Sequence, residues 1–159
     1  MSLYDWLLFL HVLSAFAVVA AVVHFSIIIA AGWRTDVPSD VVGVFRLSRV
    51  GEIVVGVGSV GVLVFGVWLA IEVDGYHPWD GWIIAAYVLW LLFGAIGNHA
   101  GKVYNAARDR ARTLVAEGRD EPSPELAAML RSGRGLATQI ASVVIIVLFL
   151  LDMLFKPGA

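Results

Sequence analysis

The chain has 159 residues, of which 60% are hydrophobic and only 15% charged, with a mean hydropathy of +0.85, whereas soluble domains usually carry about 25% charge. That composition excludes a water-soluble enzyme domain and describes a single membrane domain whose first partner is the lipid bilayer. The absence of cysteine excludes disulfides, thiolate metal sites and covalent c-type haem attachment, and a formal charge of −2 gives no bulk signal for nucleic acid.

Met1-Ser2-Leu3-Tyr4-Asp5 carries no lysine or arginine ahead of an apolar run of about 26 residues that reaches Ala31. A cleaved signal peptide has a basic start and an apolar stretch of roughly 7–15 residues, so this run reads as a retained span. Crossing ~30 Å of hydrocarbon takes about 20 helical residues, because any other backbone conformation leaves polar groups unpaired there. Four stretches qualify, at about 6–32, 51–73, 81–101 and 135–155. Asp74-Gly75-Tyr76-His77-Pro78-Trp79-Asp80-Gly81 is a short turn between the second and third, which predicts an antiparallel hairpin of those two helices. The whole is expected to be an all-α, up-down four-helix membrane bundle.

Basic residues predict its orientation. Loop one holds Arg34, Arg46 and Arg49; loop three holds Lys102, Arg108, Arg110, Arg112, Arg119, Arg131 and Arg134; only Lys156 falls on the other side. By the positive-inside rule both loops are cytoplasmic and both termini are outside, in a bacterial inner membrane. Tyr4, Trp6, Trp79 and Trp82 then mark the outer boundary and Trp33 the inner one.

Within loop three, residues 102–134, Lys102 to Glu117 keeps helical character, so the third helix should project beyond the bilayer. Ser123-Pro124-Glu125 opens a short helix, with serine as N-cap and proline at the first helical position. The loop is expected to be a solvated connector touching anionic headgroups, with a docking surface for a cytoplasmic partner as the rival.

Ionisable groups within the spans cost several kcal/mol unless paired or ligated, which makes each a functional candidate. They are His11 and His24 in the first span, Glu52 in the second, Asn98 and His99 near the end of the third, and Thr138, Gln139, Ser142 and Asp152 in the fourth. His24 lies about 18 residues beyond Trp6 and His99 about 17 beyond Trp82, which puts both imidazoles at one depth at 1.5 Å per residue, within reach of Glu52 and Gln139. His11 and Asp152 share the outer layer and can form a carboxylate–imidazole pair there. His11 and His24 are separated by roughly 20 Å along the axis and about 140° around it, so they cannot serve one small site. The bland alternative for each histidine is a hydrogen bond across a helix interface, and for His77 a solvated turn position. Gly94, Gly97 and Gly101 form a stripe on the third span, and Gly51, Gly58 and Gly61 fall near one face of the second; such stripes let helix backbones approach, within the bundle or between copies.

Leu7-Leu8-Phe9-Leu10-His11-Val12-Leu13-Ser14-Ala15, the third loop with Ser123-Pro124-Glu125-Leu126, and the ending Leu151-Asp152-Met153-Leu154-Phe155-Lys156-Pro157-Gly158 together resemble bacterial predicted integral membrane proteins grouped as a domain of unknown function, over most of the chain. That family is distantly similar to CopD-like and HemJ-like membrane proteins, in which an early histidine recurs on the first helix and HemJ-type members bind haem b during porphyrin oxidation. His11 stands at that position. No lysine precedes His11 and none lies inside the third or fourth span, so the resemblance implies haem binding without protoporphyrinogen oxidation.

The expected function is haem b or metal binding through His24, His99 and His11, in a redox or electron-transfer role. Two other classes compete: an accessory subunit of a larger membrane complex or a homo-oligomer packed by its glycine faces, and a small oligomeric proton or cation transporter lined by His24, Glu52 and His99. The topology has its own test. A reporter tag fused after Ala159 is expected on the outer face of the membrane, and its appearance in the cytosol would reverse the orientation.

Overall fold

The computed structural model describes residues 2–157, which form six helices: α1 Leu3–Gly32, α2 Pro38–Phe45, α3 Ser48–Glu72, α4 Gly81–Ala116, α5 Pro124–Leu130 and α6 Gly133–Phe155. Four helical stretches are long and apolar enough to cross a membrane, supplied by α1, α3, α4 and α6; the ends of α1, α3 and α6 fall within about three residues of the predicted spans, and α4 starts at Gly81 as predicted and projects past residue 101 to Ala116. Local chemistry sets the ends. Ser2 and Asp5 form a reciprocal capping box at the start of α1. Gly118, at φ 72°, lets Arg119 N–H donate back to the Leu114 carbonyl at 2.9 Å and close α4. Ser123 caps α5 as its sequence predicts, accepting from Leu126 N–H, with Pro124 at the first helical position.

Loop three is exposed over 115–122, and its short helix α5 also packs against the projecting part of α4. Loop one contains an unforeseen helix, α2, which packs with α5 on the projecting half of α4. Val41, Ala107, Ala111, Leu126 and Leu130 are fully buried there, with Phe45 stacked on Tyr104 at 6.1 Å. Water surrounds this end, so apolar burial drives its packing in the ordinary way. Polar bonds fix the register of the two loops. Asp120 accepts from Ser39 N–H at 2.8 Å in the first turn of α2, Ser123 N–H donates to the Asp36 carbonyl at 2.9 Å, and Arg131 donates to the Trp33 carbonyl at the end of α1 at 3.1 Å. Arg110 forks onto the Glu125 carboxylate with bonds of 2.9 to 3.2 Å.

Inside the span region the helices associate as two pairs. The closest packing is α1 against α3 and then α4 against α6, while α3 and α4, antiparallel across their short turn, do not lie against each other along their length. The expected hairpin is thus a connection rather than a packed unit. The reason is side-chain size: α3 presents glycines to α1, whereas it meets α4 through Ala70 against Trp82 and Ile83 near the turn and through the reach of Trp90 Nε1 to the Ser59 carbonyl at 3.1 Å. At the turn end, Lys156 Nζ donates to the Tyr76 hydroxyl at 2.6 Å and ties the end of α6 to the α3–α4 turn.

Two measurements check the basic-end core. Leu130→Ala, at a fully buried position, should cost about 2–5 kcal/mol in chemical denaturation. The exposed Glu125 carboxyl is held below its ordinary value, first by its hydrogen bond to Arg110. Its stabilising contribution is therefore present above the unfolded carboxyl's pKa and fades as pH falls through the lower folded value. Glu125→Gln should remove that acid-side slope, so that the variant is slightly less stable than the native chain at neutral pH and converges with it in acid.

Candidate functional site between the helix pairs

The seam between α1 and α3 uses one device twice. In an α-helix each carbonyl accepts from the N–H four residues on, and the side chain at that later position shields it from a second donor. Where the later residue is glycine, the carbonyl is open. His11 Nδ1 donates to the Val62 carbonyl at 3.1 Å, and Gly66 lies four residues beyond Val62; a Cβ at Gly66 would stand 2.9 Å from the imidazole. His24 Nε2 donates to the Leu47 carbonyl at 3.1 Å, and Gly51 lies four residues beyond Leu47; a Cβ there would stand 2.7 Å from the ring. Between them Gly58 would meet the Ser14 carbonyl at 3.0 Å and Gly61 would meet the Ser14 hydroxyl. Three of these glycines are those predicted as a packing face, and Gly66 extends it. Both histidines therefore reach α3 despite their angular separation, His24 at its first turn and His11 past its middle.

His11 keeps one nitrogen free. With Nδ1 on the carbonyl, Nε2 has no hydrogen-bond partner among the described residues, and His11 lines a second, small cavity of about 80 Å³ together with Val62, Trp90, Phe93, Phe149 and Met153. Asp152, the neighbour of Met153 in sequence, is buried at 8% exposure, but its Oδ2 has no partner and it forms no pair with His11 among the described residues. The expected carboxylate–imidazole pair is thus not formed, and the one bond that the imidazole makes goes to α3.

The larger cavity is a cleft of about 390 Å³ in the gap between α3 and α4, floored by α1 and α6. Glu52 and Gly56 of α3 and Gly94, Gly97, Asn98 and Gly101 of α4 line it. A Cβ added at Gly56, Gly94 or Gly97 would meet nothing within 4 Å. The α4 stripe is thus the opposite of the α3 face: it borders open space and packs against no helix of this chain. Gln139 also lines the cleft, but its amide donates to Ser26 Oγ at 2.6 Å and to the Val22 carbonyl at 3.3 Å, pinning α6 to α1.

The four predicted layer partners are not gathered into one centre. Glu52 and Gln139 border the cleft; His24 is turned to Leu47 and lines neither cavity; His99 is exposed, two residues from Gly97 and hence on the far side of α4. Sequence reasoning missed Gly66, Val62, Ser59, Trp90, Tyr104 and Met153. Gly66 was open to discovery as one more glycine on the second span, whereas the carbonyls carry no side-chain signal at all.

A family model described as a predicted integral membrane protein (DUF2269) matches residues 5–157. No curated protein and no solved structure matches the chain.

The seam can be tested by a double-mutant cycle. Gly66→Ala should cost about 1–3 kcal/mol by forcing the imidazole off the Val62 carbonyl. In a His11→Ala background the same change should be neutral or stabilising by up to about 1 kcal/mol, since alanine is the better helix former. An equal cost in both backgrounds would refute the glycine-opened carbonyl.

Proposed function

We propose, for a chain that belongs to the DUF2269 family of predicted integral membrane proteins, a redox or electron-transfer role in the bacterial plasma membrane, in which His11 would hold haem b. The observation that carries this reading is the state of the His11 ring. Its Nδ1 proton is committed to the Val62 carbonyl at 3.1 Å, which fixes the tautomer, holds the ring plane and leaves a neutral Nε2 lone pair, the arrangement by which proteins present imidazole to a metal.

The donor chemistry fits the group. The surroundings are apolar and aromatic, and Met153 lines the same cavity, its thioether a second soft donor that would help to hold haem iron. The space beside His11, about 80 Å³, is well below the ~300–1,000 Å³ of ligand-sized sites, so a macrocycle there also calls on the adjoining cleft, which borders the same Ser59 and Phe93. Haem would supply a one-electron change at iron. The chain's own contribution is to hold the ligand nitrogen deprotonated, to exclude water with Trp90, Phe93 and Phe149, and to keep the ring pinned through Gly66. His24 and His99 carry no part of this reading, because neither lines a cavity.

Protein purified after expression with ample haem should show a visible spectrum that sharpens on adding dithionite. His11→Ala should abolish the absorbance, and Met153→Ala should shift its potential or spectrum, while His99→Ala leaves it intact. A colourless preparation overturns the reading and leaves the accessory-subunit role as the better account.

A further inference from the structure

The first turn of α6 holds hydrogen-bond donors that the rest of the fold leaves without acceptors. Arg131-Ser132-Gly133-Arg134-Gly135 leads into a helix of 23 residues that continues into the span. The first N–H groups of any helix have no partner within it. Here Ser132 Oγ accepts from Gly135 N–H at 3.3 Å and the Ser132 carbonyl from Leu136 N–H at 3.3 Å, while the N–H groups of Gly133 and Arg134 bond nothing among the described residues. Gly133 is exposed, and a Cβ added there would meet nothing within 4 Å.

A second feature of this turn comes from another helix. Tyr104 reaches across from α4, and a Cβ added at Gly135 would overlap its hydroxyl and stand 3.2 Å from Ser132 Oγ. Tyr104 is only 7% exposed, and its hydroxyl is buried without a hydrogen-bond partner, a condition that folded proteins rarely tolerate unless something supplies the partner. The surrounding charge has one sign. Arg131 spends Nε on the Trp33 carbonyl, which leaves its terminal guanidinium nitrogens free, and Arg134 is exposed and forms no ion pair among the described residues. No aspartate or glutamate occurs between Glu125 and Asp152, and Glu125 is engaged by Arg110. Because Trp33 ends α1 and α6 enters the apolar core from this turn, the turn sits at the level of lipid headgroups on the basic face.

We propose that the N-terminal turn of α6 binds a phosphate group, carried by an anionic phospholipid of the basic face or free in solution. A helix start directs N–H groups and a partial positive charge at one point. The N–H groups of Gly133 and Arg134, the hydroxyls of Ser132 and Tyr104 and the guanidinium groups of Arg131 and Arg134 are donors, and phosphate oxygens supply acceptors and opposite charge. A cation is refused by the same field, and an apolar ligand would leave every one of these donors without a partner. The site uses no residue of the His11 cavity and stands apart from the haem reading.

The full chain in neutral detergent is titrated with short-chain phosphatidylglycerol and, separately, with inorganic phosphate, and followed by thermal shift. Saturable binding is expected in at least one arm, and the arm that responds names the source. Gly133→Pro removes one donor and keeps the helix start, since proline suits the first helical position and Ser132 before it is already extended at φ −63°, ψ 132°. Tyr104→Phe removes the hydroxyl alone. Each should weaken binding roughly tenfold or more, while the ligand-free protein melts at the same temperature or higher. Arg112→Gln, exposed and about two turns further along α4 than Tyr104, removes a charge of the same sign and should bind within about twofold of the native chain. Absence of saturation in both arms overturns the proposal. So does native-like binding by either Gly133→Pro or Tyr104→Phe, and so does an equal loss in Arg112→Gln, which assigns the effect to net charge.

Discussion

Main-chain carbonyls inside a bilayer have no water to bond, and the closeness of α1 to α3 depends on how this chain opens two of them to imidazole. Val62 with Gly66, past the middle of α3, and Leu47 with Gly51, at its start, present the same arrangement, one for His11 and one for His24. Between lipid-facing helices there is little hydrophobic drive, so dispersion and such hydrogen bonds decide which helices pair. Because α1 claims the glycine face of α3, the opposite face is not drawn toward α4, and the cleft follows as a consequence of that choice.

The basic end obeys a different physics. There the solvent is water, and α2 and α5 bury Val41, Leu126 and Leu130 completely against α4. This core joins α1 to α4 where the span region holds them only loosely. It acts as a clamp: Arg131 on the Trp33 carbonyl and Asp120 on Ser39 N–H tie the two loops together with backbone bonds, so the helix pairs are held at one end while the gap between α3 and α4 persists above it.

The two cavities share Ser59 and Phe93 but differ in chemistry. One has a nitrogen donor with a fixed tautomer, a thioether and aromatic walls. The other has hydrogen-bond donors, a carboxylate and bare backbone.

Much of this architecture was legible in the residue order, because hydrophobic length and the alternation of charged loops respond to the bilayer alone. The number of spans, the projection of α4, the Ser123–Pro124 helix start and the packing role of Gly51, Gly58 and Gly61 are all local properties. Which helix each polar group would meet was not legible. His11 found a carbonyl instead of Asp152, His24 found another instead of His99, and the Gly94–Gly97 stripe found empty space. Depth along a helix is fixed by counting residues, but azimuth and pairing are set by which backbones can approach most closely. That is a competition among all four helices, decided only once they are assembled.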